Sequence, residues 1–353
     1  MGNLSSFFKR KDIEISFHRY GIEAMSAMAQ GLFCTLLIGT ILNTLGSQFH
    51  IAFLNAEICN IAGKAYNIGQ LAQLMVGPAM AVAIGSALKA PGMVLFSLVP
   101  VGYATNVLGG AGGPFAVYVV SIVAAEFGKA VSKETKVDIL VTPAVTLLVG
   151  MGLAALVASP VGATANWLGQ SIMWATRQHP FVMGMLVSLL VGMALTLPIS
   201  SAAICAGLGL TGLAGGAALA GCCAQMVGFA VMSFPENKWG GLVSQGLGTS
   251  MLQMGNILKN PKIWIPPILT SIVTGPVATC VFKLEMNGAA VNSGMGTCGL
   301  CGPIGVWTGW ENPSALDWTG LVLISIVLPA IICPLIALFF RKIGWIRPGD
   351  LKL

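Results

Sequence analysis

Charge is what this chain has least of. Of its 353 residues, 18 are Lys or Arg, 12 are Asp or Glu and 3 are His, so 8% carry formal charge. Soluble domains carry about 25%, so a surface facing water on all sides is excluded. His18, His50 and His179 are scattered without metal-ligand spacing. The chain offers no Ser-His-Asp set, Walker loop or paired catalytic carboxylates; an enzyme is not expected, and neither a metal nor a cofactor is implied. The net charge of +6 is spread over short segments with no dense basic stripe, which argues against a nucleic-acid partner. Strict polar/apolar alternation is missing too, ruling out a β-barrel. No short apolar core with a cleavage site stands near the start, so no cleavable signal peptide is expected. Nine cysteines, an odd number lying mostly inside apolar runs, argue against a disulfide framework. Cys298-x-x-Cys301 has no second pair or nearby His and reads as two small packing residues.

Long uncharged runs are what the chain does have: Ala24–Ala56, Ala65–Leu88, Ala90–Ala125, Ile139–Thr176, Gln178–Pro235, Ile263–Phe282 and Trp318–Phe340. A helix crossing a bilayer needs about 20 such residues, and several runs hold two. Mean hydropathy is +0.84, and 45 glycines suit helices packed closely through small residues. The expected fold is an all-α integral membrane protein of about ten transmembrane helices with re-entrant hairpins. The expected spans are Ala24–Leu45, Asn67–Leu88, Met93–Leu108, Gly113–Glu126, Ile139–Ala158, Phe181–Leu197, Ser201–Gly215, Ala217–Phe234, Ile263–Phe282 and Leu321–Phe340. Pro198 and the Gly/Ala content around it leave a re-entrant pair open as the alternative.

Residues 1–22 carry Lys9, Arg10, Lys11 and Arg19 between apolar side chains and read as an interfacial segment. Residues 23–341 form one transmembrane domain and 342–353 a tail. Basic residues mark the cytoplasmic side, so both termini are expected there, with Lys89, Lys129, Lys133, Lys136, Lys238, Lys259 and Lys262. Lys64, Arg177 and Lys283 fall outside. Asn166–Thr176 reads as a separate interfacial helix, and Gly240–Leu258 as a segment at the surface or lining a cavity. The stretch Lys136–Thr146 resembles Asn260–Thr270, a weak internal repeat that suggests halves 23–165 and 178–340.

The segment Asn260–Trp307 is the most informative. An apolar helix meets Lys283 and Glu285 and then gives way to a glycine-rich hairpin. Backbone that leaves the helix at membrane depth must be lined by protein or a cavity. A carboxylate at the bilayer centre costs about 2.5–3.5 kcal/mol, so Glu285 should face a cavity or partner unless it caps a loop in water. Asn287, Asn292, Ser293 and Thr297 lie nearby, and amides and carboxylates suit the hydroxyls of a sugar. Gly294 and Gly296 let the backbone approach a ligand. The G-x-G-x-x-G match there follows no strand, so the dinucleotide reading fails. Thr105 and Asn106, before a Gly/Pro break, are second-site candidates or part of a plain turn. Gln70 and Gln73 share a helix face and read as interhelical hydrogen-bonding groups.

NPKIWIPP, then TGP, then N-x-G-M-G-T-x-G-L-x-G resembles the membrane-embedded IIC components of bacterial phosphotransferase-system sugar transporters, in particular a stand-alone EIIC-like or perfringolysin-regulator-like branch. The resemblance implies a homodimer in the bacterial cytoplasmic membrane, a sugar-like solute, and re-entrant hairpins around it. It makes Glu285 the counterpart of the family's sugar-binding glutamate, but no histidine stands in a comparable setting. All 353 residues are used by the membrane part and short tails, so phosphorylation would need a separate IIB protein. The expected function is a permease moving a small polar solute by alternating access. The rival readings are a membrane-bound ligand-sensing regulator and a carrier of a lipid-like solute.

Overall fold

The computed structural model describes residues 2–308, 310 and 312–353, with side chains from Ser6 onward. Helices make up 79% of it. Two compact units divide the chain: residues 1–46 with 50–164, and residues 47–49 with 165–353.

The first unit opens with α1 (Gly2–Arg10), then α2 (His18–Gln48) and a two-stranded hairpin, β1 (Cys59–Ile61) with antiparallel β2 (Lys64–Tyr66). The next apolar run is bent by 53° between α3 (Ile68–Leu74) and α4 (Val76–Ala87). Gln70 completes a capping box with Asn67, while Gln73 donates across to Thr40 Oγ1 at 2.9 Å. Helices α5 (Gly92–Gly109) and α6 (Gly113–Val131) fall inside one apolar stretch of 40 residues. The stretch reverses at Gly110 (φ +52°, ψ −123°), a conformation that suits glycine because it has no Cβ, and the two helices pack on each other. Helix α4 packs against α2 and α5.

Helix α7 runs from Asp138 to Thr176, 39 residues or about 58 Å at a rise of roughly 1.5 Å per residue. The expected span Ile139–Ala158 and the expected separate helix Asn166–Thr176 are therefore one element. Pro143 and Pro160 sit within it without ending it.

In the second unit, α10 (Gly212–Met232) is the central helix, with 17 of its 21 residues buried. It packs against α8 (Pro180–Thr196), α13 (Pro261–Val281) and α15 (Ala315–Lys342). A Cβ on Gly221 would lie 1.9 Å from the Ser188 carbonyl oxygen, so α8 and α10 meet backbone to backbone. Hydroxyls that would otherwise be stranded in this apolar interior bond back to their own helix: Ser271 to Pro267 O at 2.9 Å and Thr270 to Pro266 O at 2.8 Å. Gln225 is fully buried and accepts from Trp264 Nε1 (2.9 Å) and Thr196 Oγ1 (3.1 Å).

Among the described residues, six helical segments, with α5 and α6 counted together as one, are long and apolar enough to cross a membrane, or seven if the bent pair is one span. The expected span Ser201–Gly215 is not a span. Ser201–Leu208 (α9) is a separate short helix that Gly209 ends in the left-handed region at φ +60°, and Gly212–Gly215 already belong to α10. Residues 240–258 also differ from a surface segment. Through α11 (Phe234–Val243) and α12 (Met254–Lys259) they bury Gln245, Gln253 and Asn256 in a chain of amide hydrogen bonds at 2.8–2.9 Å. The C-terminal residues close that chain. Leu351 O accepts from Asn237 and Gln253, and Lys352 O accepts from Asn256.

Candidate functional site

Helix α13 ends in a wide turn at Val277–Val281, directly after Pro276; Lys283 then takes a left-handed backbone (φ +46°), and Leu284–Asn287 alternate buried and exposed as extended chain does. In extended chain alternate side chains point to opposite faces. Leu284 and Met286 are 4% and 1% exposed and join Leu219, Ala220, Cys223 and Ala278 in one core cluster. The same alternation turns Glu285 and Asn287 outward.

This segment is pinned from below by α10. Met286 exchanges both backbone hydrogen bonds with Gly212, each 2.9 Å. A Cβ on Gly216 would lie 1.8 Å from the Leu284 carbonyl oxygen. Only glycine permits that approach. Next, the Gly288 N–H donates to Gly305 O at 2.7 Å, and Asn287 donates to Val306 O at 3.2 Å, tying the segment to α14 (Cys301–Trp307).

The outward face lines a cavity of about 300 Å³, at the lower end of the range for small-ligand pockets, about 300–1,000 Å³. Its polar lining is Lys283, Glu285, Asn287, Asn312 and Asp317, and Trp310 and Phe282 supply apolar surface. Asp317 is held in place as it caps α15: its Oδ2 accepts from the Ser314 N–H (2.8 Å) and hydroxyl (2.7 Å). Trp310 is packed edge-on to Trp318 with ring centroids 5.1 Å apart, and Trp318 also touches Trp307 at 5.6 Å. Carboxylates and amides beside an indole match a polyhydroxylated ring, whose hydroxyls need acceptors and donors and whose C–H faces need an apolar platform.

The other candidate residues serve the hairpin itself. Ser293 is fully buried and donates to Leu210 O at 2.6 Å; Gly294 O accepts from the Ser201 hydroxyl at 2.7 Å. Gly296 has φ +55°, and a Cβ there would stand 2.8 Å from that of Cys222. Thr297 donates to Gly246 O. Asn292 packs against Gly305. The structure thus brings Glu285 and Asn287 together at the cavity, and places Ser293, Gly294, Gly296 and Thr297 in the hydrogen-bonded interior behind it. Thr105 and Asn106 belong to the first unit. Thr105 is buried and bonds back to Val101 O at 2.7 Å, while Asn106 packs against Gly77 and Gly113.

Sequence reading did not find Trp310, Asn312 or Asp317. The signal lay just past the glycine hairpin, in three tryptophans (Trp307, Trp310, Trp318) within twelve residues that also carry Asn312 and Asp317. Cys298 and Cys301 are buried, and no group of three or more His, Cys, Asp or Glu able to hold a metal exists among the described residues.

Compared with known proteins, residues 22–353 match the family model described as "Phosphotransferase system, EIIC". No curated protein and no solved structure matches the chain.

Proposed function

Since the chain belongs to the phosphotransferase-system EIIC family, whose members are the membrane-embedded permease components of sugar uptake systems, we propose that it moves a small polyhydroxylated solute, of the sugar class, through the second unit by alternating access. The observation that carries this is the cavity between residues 282 and 317, where an exposed carboxylate, two amides and an indole converge on an extended segment pinned at both ends. Glu285 accepts from solute hydroxyls, Asn287 and Asn312 supply mixed donors and acceptors, and Trp310 stacks on the ring face. The buried hairpin of Ser293, Gly294, Gly296 and Thr297 fixes the position of that lining without touching the solute. Thr105 and Asn106 act in helix packing, not in binding. Both termini lie on the cytoplasmic side of a bacterial membrane, the protein works as a homodimer, and any phosphoryl transfer comes from a separate IIB partner. The test is uptake of a labelled sugar panel into proteoliposomes, without phosphocarrier proteins and then with them. Uptake of one sugar class, lost in Glu285→Gln at unchanged protein insertion, supports the reading. A Glu285→Gln variant that takes up the same sugar at the wild-type rate overturns it.

A further inference from the structure

The first unit holds a second cavity, of about 350 Å³, whose lining is unlike the first. Five of its residues are cationic (Arg10, Lys11, Lys89, Lys129, Lys133) and one is acidic, Glu134. Three separate stretches of chain supply them: the end of α1, the turn after α4, and the end of α6 with the loop beyond it. The N-terminal segment is folded onto that loop, since Glu134 pairs with both Arg10 (2.8 Å) and Lys11.

Not all of this charge is available. Lys129 is 3% exposed and is consumed by the structure, donating to Asp12 O (2.7 Å) and Leu88 O (2.9 Å) and pairing with Glu126 at 3.1 Å. It holds the floor. Lys89 lies 3.9 Å from Asp12, a carboxylate already gripped by Arg19 at 2.8 Å. Lys133 uses its backbone N–H on Asp138 and carries its ammonium on the exposed rim. The rim cations therefore exceed the one lining carboxylate that could neutralise them.

Ser132 adds an observation of a different kind. It lines the same cavity and is 4% exposed, yet its hydroxyl has no hydrogen-bond partner. A buried hydroxyl left unpaired costs about 1–3 kcal/mol, and native structures keep few such groups. A cavity that combines surplus ammonium groups with an unpaired buried hydroxyl is chemically complementary to a tetrahedral oxyanion, which takes several charge-assisted hydrogen bonds at once.

We propose that this cavity binds a phosphate group, with Lys89, Lys133 and Arg10 closing on its charge, Ser132 donating to one of its oxygens, and Glu134 as the internal competitor that holds Arg10 and Lys11 when the anion leaves. The site lies wholly in the first unit and does not depend on the solute reading. The phosphate is either free in solution or the headgroup of an anionic phospholipid.

The experiment uses the full chain, purified and delipidated in a neutral detergent. Inorganic phosphate is titrated by calorimetry. In parallel, retention of phosphatidylglycerol against phosphatidylcholine is measured by native mass spectrometry after reconstitution in nanodiscs. Saturable phosphate binding identifies a soluble ligand, and selective retention of phosphatidylglycerol identifies the headgroup. In either arm Lys89→Gln with Lys133→Gln should weaken binding at least about tenfold, Glu134→Gln should tighten it, and Lys342→Gln, outside the cavity, should leave it unchanged. Ser132→Ala keeps every charge. It should weaken binding severalfold while the ligand-free protein melts no lower than wild type, because an unpaired hydroxyl is all that is removed. Absence of both phosphate binding and phosphatidylglycerol selectivity overturns the proposal. So does a loss of equal size in Lys342→Gln, which would mark diffuse attraction, or unchanged binding in the Lys89/Lys133 variant.

Discussion

Replacing Gly216 by alanine inserts one methyl group at the most crowded point beneath the candidate site. The new carbon would stand 1.8 Å from the Leu284 carbonyl oxygen, where real side chains keep at least 3.0 Å. The obstacle is backbone, so no side-chain rotation relieves it. The segment carrying Glu285 must retreat by more than an ångström, and the paired hydrogen bonds between Gly212 and Met286, each 2.9 Å, stretch or break. Overpacking of this kind costs about 1–3 kcal/mol, and each lost hydrogen bond adds about 0.5–1.5 kcal/mol. A destabilisation of about 2–6 kcal/mol is expected if both hydrogen bonds are lost, with solute affinity at least tenfold lower, equivalent to about 1.4 kcal/mol. Gly207→Ala is the matched control, because a Cβ there meets nothing within 4 Å. Thermal melts in detergent and equilibrium solute binding, run on both variants, read the two quantities. A Gly216→Ala protein that melts and binds like wild type would refute the view that this close approach positions the site.

Two further outcomes follow from hydrogen bonds at the ends of the chain. Removing residues 351–353 strips the acceptor from the Asn237 amide and one of two acceptors from each of the Gln253 and Asn256 amides, which keep their bonds to Gln245 and Gln253. The melting temperature should fall by an amount equivalent to about 1–3 kcal/mol per amide left unpaired, and Asn237→Ala alone should reproduce part of that fall. At the other end, hydrogen bonding from Arg19 holds the Asp12 carboxyl below its ordinary value of 3.8, and Lys11 does the same for Glu134 below 4.5. Both groups are depressed in the folded state, so their contribution is whole above the ordinary value and disappears as pH falls through the folded one. Hydrogen exchange of residues 6–16 should show the segment docked at pH 6 and released only below about pH 4. Asp12→Asn should release it at neutral pH, and protection unchanged in that variant would contradict the assignment.

The membrane class was legible because it depends on run length, which any apolar helix satisfies. Element ends were harder, for a physical reason. Between Gln178 and Pro235 hydropathy never drops, so only backbone conformation separates the eight-residue helix at Ser201 from the 21-residue one at Gly212. The left-handed Gly209 does that, and glycine is too common here for any one to stand out. The polar face of Asn166–Thr176 with Trp167 and Trp174 suggested a separate interfacial helix, yet neither Gly162 nor Gly169 breaks the backbone there, and the helix continues. Glu285 and Asn287 were legible as polar residues in an apolar setting. Ser293 and Thr297 looked equally available, but the backbone carbonyls of Leu210 and Gly246 claim them. Such long-range partners have no signature in local sequence.

Whether the cavity between Phe282 and Asp317 holds the solute is tested most directly by equilibrium binding of a sugar panel to purified wild-type protein, Glu285→Gln and Trp310→Leu, with melting curves to confirm folding. Binding of one sugar class, lost at least tenfold in each variant while both remain folded, is the result predicted from the cavity's lining. Wild-type affinity in both folded variants would contradict it and move the solute site elsewhere in the chain.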